Sequence, residues 1–340
     1  MILKIELENQ KFLNIDFDNI IYLTGPNQKQ LWQVFRSFYY YFNKNPKLTA
    51  NIYGENKIEI SLDDDELSVK NNDVYFINNR DSIYQQMIYK KDSMLFDLLN
   101  TWQDNAEINQ SLERINDEII KLELKLQSLV DEYSDNLKTE FQETTYMDLL
   151  KGNLLMNYQV DDKNYPLEFM DTETLLDEFL NLLEFKLTNN KKTSWLVLYN
   201  LDSFISASDD NDFVDHLKLL LDKYDLKIIY IGNDLNEVPI DATDFEKIVI
   251  SAQGFSQLLP YDELIKSVKM HYPNEYEASE KAFVSSVKRV APLVGNINKM
   301  FISNKDLVLL KVVNDILGYE TSYDLNSQLL SNAETKFLED

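Results

Sequence analysis

Residues 20–42 read IIYLTGPNQKQLWQVFRSFYYYF, and this stretch sets the fold class. It opens on an unbroken apolar run, Ile20-Ile21-Tyr22-Leu23, which suits a strand buried on both faces. Gly25-Pro26-Asn27 then supplies turn residues. From Gln28 the period changes. Leu31, Val34, Phe35, Phe38 and Phe42 recur at helical spacing and predict a helix to about Phe42, with Pro46 just past its end. Strand, glycine turn and helix make one α/β unit.

Working outward, residues 1–7 (MILKIEL) and 12–17 (FLNIDF) alternate apolar and polar, as half-buried strands do. Further strands are predicted at 57–62 and 73–77, with the acidic run Asp63-Asp64-Asp65-Glu66 as a turn between them. Apolar runs return at Trp195–Tyr199, Ile228–Ile231 and Ile248–Ile250, with a helix at about 210–224. Strands spaced by helices imply crossovers and a mainly parallel sheet. The segment 82–190 reads as almost wholly helical. Within it Ile108, Leu112, Ile115, Ile119, Leu122, Leu126, Leu129 and Tyr133 alternate four and three apart, a heptad seam that needs a partner helix. A core helix of a small domain and a projecting arm both fit that pattern. Helices at about 144–157 and 172–187 are the candidates for its return leg. The C-terminal part predicts helices at 261–271, 276–290 and 304–317, the last capped by Gly318. The predicted organisation is an α/β head from 1–90 and 191–255, an inserted helical, partly coiled-coil domain at 91–190, and a helical extension at 256–340.

Composition narrows the chemistry. The 340 residues contain no cysteine, which excludes disulfides, thiolate metal sites and a cysteine nucleophile. The two histidines, His216 and His271, stand in no zinc-hydrolase spacing and read as surface residues. The start MILKIELENQ lacks the basic and apolar regions of a signal peptide, and no stretch is apolar enough to span a membrane. A soluble, cytoplasmic protein is expected. The formal net charge of -25 weighs against nucleic acid unless cations are locally concentrated. It suits Ca²⁺ or Mg²⁺.

The strand–Gly25-Pro26-Asn27–helix unit stands where an ABC-type ATPase keeps its phosphate loop, G-x-x-x-x-G-K-[ST]. Counted from Gly25, the second glycine is Gln30, the lysine is Leu31 and the hydroxyl residue is Trp32. Lys29 comes two positions early. After the strand 195–199 an Asp-Glu pair would be expected, and Asn200-Leu201-Asp202 is found. After the next strand Gly232-Asn233-Asp234 replaces the usual histidine. No LSGGQ-like signature is present. These losses predict a chain that hydrolyses no nucleotide. Anion binding at the helix start near Asn27 stays open.

With that N-terminal stretch and this order of elements, the chain resembles the long form of the accessory adaptation protein of type II-A CRISPR systems, the Csn family. The resemblance implies a degenerate ABC-ATPase-head-like fold with no enzymatic activity and no nucleotide. It implies homotetrameric rings that bind the ends of double-stranded DNA, with Ca²⁺ supporting assembly. It also implies a role in spacer acquisition, beside the CRISPR integrase proteins and the effector nuclease, with no membrane partner. Candidate phosphate-contacting cations are Lys29, Arg36, Lys44, Lys47, Lys90, Lys91, Lys121, Lys125, Lys191 and Lys192. Any one of them also fits an ordinary solvated surface. The resemblance places the Ca²⁺ ligands around 138–150, where Glu140, Glu143 and Asp148 stand. Two other readings compete: an active ABC/SMC-like ATPase with an unusual loop, and an adaptor whose heptad arm binds protein.

Overall fold

The computed structural model describes residues 1–8, 11–43, 53, 58–296, 302–321 and 331–339. The predicted positions Lys44, Pro46 and Lys47 lie outside the described residues. The chain divides into two compact units, Met1–Ser82 with Leu187–Asp340, and Ile83–Lys186.

The first unit is built on two sheets. A small antiparallel sheet joins β1 (Ile2–Glu6), β2 (Phe12–Asp16), β4 (Ile60–Leu62) and β5 (Asp65–Glu66) in the order β2-β1-β4-β5. Its alternating strands bury Leu3, Ile5, Leu13 and Ile15 on one face. The larger sheet has six strands: β3 (Ile20–Thr24), β6 (Asn72–Ile77), β9 (Thr193–Tyr199), β10 (Leu226–Ile231), β11 (Ile248–Ser251) and β12 (Phe255–Gln257). Their order is β12-β11-β3-β10-β9-β6, parallel throughout except for β12. The expected mainly parallel sheet is therefore present, with an antiparallel edge strand that the sequence reading missed. Every residue of β3 and β10 is buried, as continuous apolar runs require.

Helix α1 (Gln28–Asn43) follows β3 and lays Leu31, Val34, Phe35 and Phe38 into the core between the two sheets. There Trp195 stacks on Phe17 with ring centroids 5.3 Å apart, and Phe38 packs against it at 5.7 Å. Helix α7 (Ala207–Leu221) joins β9 to β10 as the crossover. Helices α8 (Tyr261–His271), α9 (Glu280–Val290) and α10 (Asn304–Leu317) form the C-terminal helical part. Phe283 of α9 reaches Phe245 at 5.8 Å, and Arg289 makes a bidentate pair with Asp306 at 2.9 and 3.0 Å. Gly318 caps α10 at φ 77°, as its position predicts. A last helix, α11, spans Asn332–Glu339.

The second unit departs from its predicted all-helical character. Helices α2 (Arg80–Gln86), which begins in the first unit, and α3 (Met94–Asn100) lead to the long α4 (Ala106–Asp131). No residue of α4 is fully buried. Its return leg is an extended strip rather than a helix. Thr139 N–H donates to Gln127 Oε1 at 2.7 Å, Phe141 N–H to Glu123 Oε2 at 2.8 Å and Thr144 N–H to Asn116 Oδ1 at 3.0 Å. These polar side chains sit beside the heptad seam and grip a backbone that has no sheet partner. They rotate the covered face away from the seam, so Ile115, Leu122 and Leu129 stay exposed. Only then comes a short helix, α5 (Tyr146–Asn153), which the predicted 144–157 overran. The hairpin β7 (Asn157–Val160) and β8 (Lys163–Pro166) was also missed. It turns at Asp161-Asp162, both at positive φ, a local signal that heptad counting overlooks. Helix α6 (Thr172–Asn189) leads out of this unit.

Gly25 sits at φ 131°, and a Cβ built there would run into the Ser251 backbone, with its nitrogen at 2.7 Å. Gly254 has open space at its own Cβ position. Gly25→Ala is therefore expected to cost roughly 2–4 kcal/mol of stability. Gly254→Ala should leave the thermal midpoint nearly unchanged. Thermal melts of both variants check this.

Candidate functional site

The turn after β3 is the first place to look for a ligand, because open α/β sheets bind at the carboxyl ends of their strands. In this chain the turn is stitched to the end of β11. Asn27 N–H donates to Ser251 O at 3.0 Å, and its side-chain amide to Ala252 O at 2.7 Å. Ser251 Oγ donates to Gln30 Oε1 at 3.0 Å. Gln28 N–H turns back to Pro26 O, and Gln30 N–H to Asn27. The N–H groups of Asn27, Gln28 and Gln30 are thus spent inside the protein. The residue in the lysine's place, Leu31, is buried in the core. Trp32, in the hydroxyl's place, is 40% exposed and packs against Phe35 and Tyr199 with centroids at 5.3 and 5.4 Å.

The second expected element is altered too. Asn200 stands at φ 51° just past β9, its N–H bonded to Ile231 O at 2.8 Å. Asp202 feels the charge of Asp234 and lies near Asp210 along this edge. Burial, with Asp234 nearby, pushes the Asp202 carboxyl up. Asp210 is buried on α7 and accepts from Tyr230 O–H at 3.0 Å. Burial pushes its carboxyl up to about 6. The tyrosine bond opposes that rise, while Asp202 and Glu237 add to it.

Within the first unit, Lys29 stands apart from Lys191 and Lys192. Lys29 lies just past the carboxyl end of β3, whereas Lys191 and Lys192 lead into the start of β9. Both strands run parallel to β10, so the two groups stand at opposite ends of a sheet roughly 20 Å long. Arg36 is paired with Glu8, Lys192 with Asp73 at 2.7 Å and Lys121 with Glu118 at 2.7 Å. Lys90 donates to Gln85 at 2.6 Å. Lys29, Lys91, Lys125 and Lys191 are exposed and make no side-chain hydrogen bond or ion pair among the described residues.

The three acidic residues named for Ca²⁺ stand in the second unit. Glu140 and Glu143 are exposed on the extended strip. Asp148 caps α5, accepting from Thr145 N–H at 3.2 Å and Thr145 Oγ1 at 2.5 Å. Among the described residues no three acidic or histidine side chains are grouped to hold a metal ion. No helix among the described residues is long and apolar enough to cross a membrane.

The family profile described as CRISPR-associated protein Csn2 subfamily St matches residues 5–339. The chain belongs to the Csn2 family. A solved structure agrees on the fold. This chain is similar to Stu0660 of Streptococcus thermophilus, at 20% identity and TM-score 0.83, over 99% of this chain and 100% of that one. A fainter likeness is to cbiO1 of Clostridium perfringens, described as part of the ABC transporter complex cbiONQ. It has 13% identity and TM-score 0.41, over 80% of this chain and 95% of that one. No curated protein matches. Membership of Csn2, expected for the type II-A form, makes the chain CRISPR-associated.

Asp210 yields a pH test. Its carboxyl titrates near 6 when folded and near 4 when unfolded, so the folded state favours the protonated form. The stability this contributes is complete below pH 4 and lost as pH rises through 6. Asp210→Asn keeps a polar side chain without the charge. It is expected to raise stability by about 2–3 kcal/mol at pH 7.5 and to change it little at pH 4. Thermal melts at the two pH values check this.

Proposed function

We propose that this Csn2 protein is a non-catalytic binder of double-stranded DNA ends. It works as a homotetrameric ring in CRISPR spacer acquisition, with the integrase proteins and the effector nuclease as partners. The observation that carries the reading is the sealed turn at Gly25–Asn27, whose amides bond to Ser251 and Ala252 and leave no phosphate cradle. An ABC-ATPase-head-like scaffold without that cradle has kept its shape and lost the chemistry of nucleotide hydrolysis. The family supports the CRISPR setting.

On this reading DNA is held by its phosphates, without sequence readout, through exposed lysines. Lys29, Lys91, Lys125 and Lys191 are the free candidates, and Arg36, Lys90, Lys121 and Lys192 must first leave their partners. A chain at -25 repels DNA over most of its surface, which confines contact to places where cations are concentrated. Because one chain gathers no metal-ligand set among the described residues, Ca²⁺ belongs in this proposal where copies meet, with Glu140, Glu143 and Asp148 as candidate ligands. A second reading, a protein-binding arm, is favoured by the exposed row Ile115, Leu122 and Leu129 on α4.

Light scattering with Ca²⁺ and linear duplex is expected to give a tetramer whose mass rises on adding DNA, and a smaller species in EDTA. Closed circular DNA should compete poorly. A monomer indifferent to Ca²⁺ and DNA would favour the protein-binding arm. Phosphate release from saturating ATP and Mg²⁺ is expected to stay at background. Turnover above background that Lys29→Ala removes would instead favour the ATPase.

A further inference from the structure

Fifty-eight of the 340 residues are Asp or Glu, yet none falls between Asp18 and Glu55. In so acidic a chain the gap leaves the described stretch 19–43 without a carboxylate of its own. Helix α1 lies within it and carries two cations and no carboxylate. At 100° per residue, Lys29, Trp32, Arg36 and Tyr39 fall on one side of the helix, opposite the buried Val34 and Phe38. Trp32 and Tyr39 are 40% and 43% exposed, large rings left in water.

Those rings are held in place from behind. Trp32 stacks on Phe35 and meets Tyr199 edge-on, and Tyr39 meets Phe76 at 5.2 Å. Arg36 is fixed by Glu8. Lys29, one turn before Trp32, is exposed and makes no side-chain hydrogen bond or ion pair among the described residues. Aromatic faces with a cation beside them, on a rigid element at the carboxyl edge of a parallel sheet, are what unpaired bases and their phosphates need. A base pair inside a duplex shows no free face, so the platform can act only on bases at an end.

We propose that the outward side of α1 is a stacking platform for unpaired bases at the end of a DNA strand, with Trp32 and Tyr39 taking bases and Lys29 a phosphate. This rests on the DNA-binding reading and adds a preference to it: tailed or frayed ends over blunt ones.

The test uses the full chain with Trp102→Phe, which leaves Trp32 as the exposed indole, since Trp195 is fully buried. Blunt duplex, the same duplex with a short single-stranded tail, closed circular duplex and free deoxynucleotide are each titrated while tryptophan emission and DNA anisotropy are read. The tailed duplex is expected to quench Trp32 and to bind roughly ten-fold more tightly than the blunt one. Trp32→Ala should abolish that preference and leave blunt-end affinity unchanged, and Trp32→Phe should retain part of it. Equal binding of tailed and blunt duplex, with Trp32→Ala without effect, would overturn the platform and leave the DNA reading standing. Binding to no DNA would overturn both. Quenching by free deoxynucleotide alone would reassign the site to a mononucleotide. A drop in assembly mass in Trp32→Ala with the tail preference intact would reassign the face to contact between copies.

Discussion

The bonds from Asn27 to Ser251 and Ala252 join parts of the chain 225 residues apart, and the carboxyl edge of the large sheet is arranged around them. They hold the turn after β3 flat against β11. That contact requires a residue without Cβ at position 25 and a side chain at 27 that can both cap a helix and reach across the sheet. Where a phosphate loop would curl around its ligand, the backbone here is its own ligand. The aromatic group around Trp32 and Tyr199 stands at this same edge.

Much of this was legible in the sequence. The apolar runs of β3, β9, β10 and β11 identify themselves, because strands covered on both faces are mostly apolar along their whole length. That Gln30, Leu31 and Trp32 are not phosphate-loop residues was equally plain. The sealing of the turn was not, since it depends on Ser251 and Ala252, which no local pattern connects to Asn27. The second unit was least legible. The heptad row on α4 predicted a helical partner, but Asn116, Glu123 and Gln127 beside that row bind an extended strip instead. Hydrogen bonds from side chain to backbone leave no periodic trace. The candidate cations could be listed from sequence, but the placement of Lys29 and Lys191 at opposite ends of the sheet could not.

Charge takes on meaning only with position. A chain at -25 looks hostile to DNA, yet its acidic residues are spread unevenly and spare β3 and α1. Elsewhere acids crowd together. At Asp202, Asp210 and Asp234 they do so at a cost in stability that burial of Asp210 makes measurable.

The strand order carries a consequence for how the chain is made. β3 lies between β10 and β11, so its neighbours begin at residues 226 and 248. A growing chain must therefore keep Ile20–Thr24, every residue of it destined for burial, without sheet partners while some two hundred residues are synthesised. That is roughly 10–40 s of translation. The small sheet of β1, β2, β4 and β5 is complete by residue 66 and offers α1 an apolar face at once. It is the natural early shelter for the N-terminal segment. The head closes only when the inserted unit has been spelled out in full, which makes assembly of this sheet a late, non-local event.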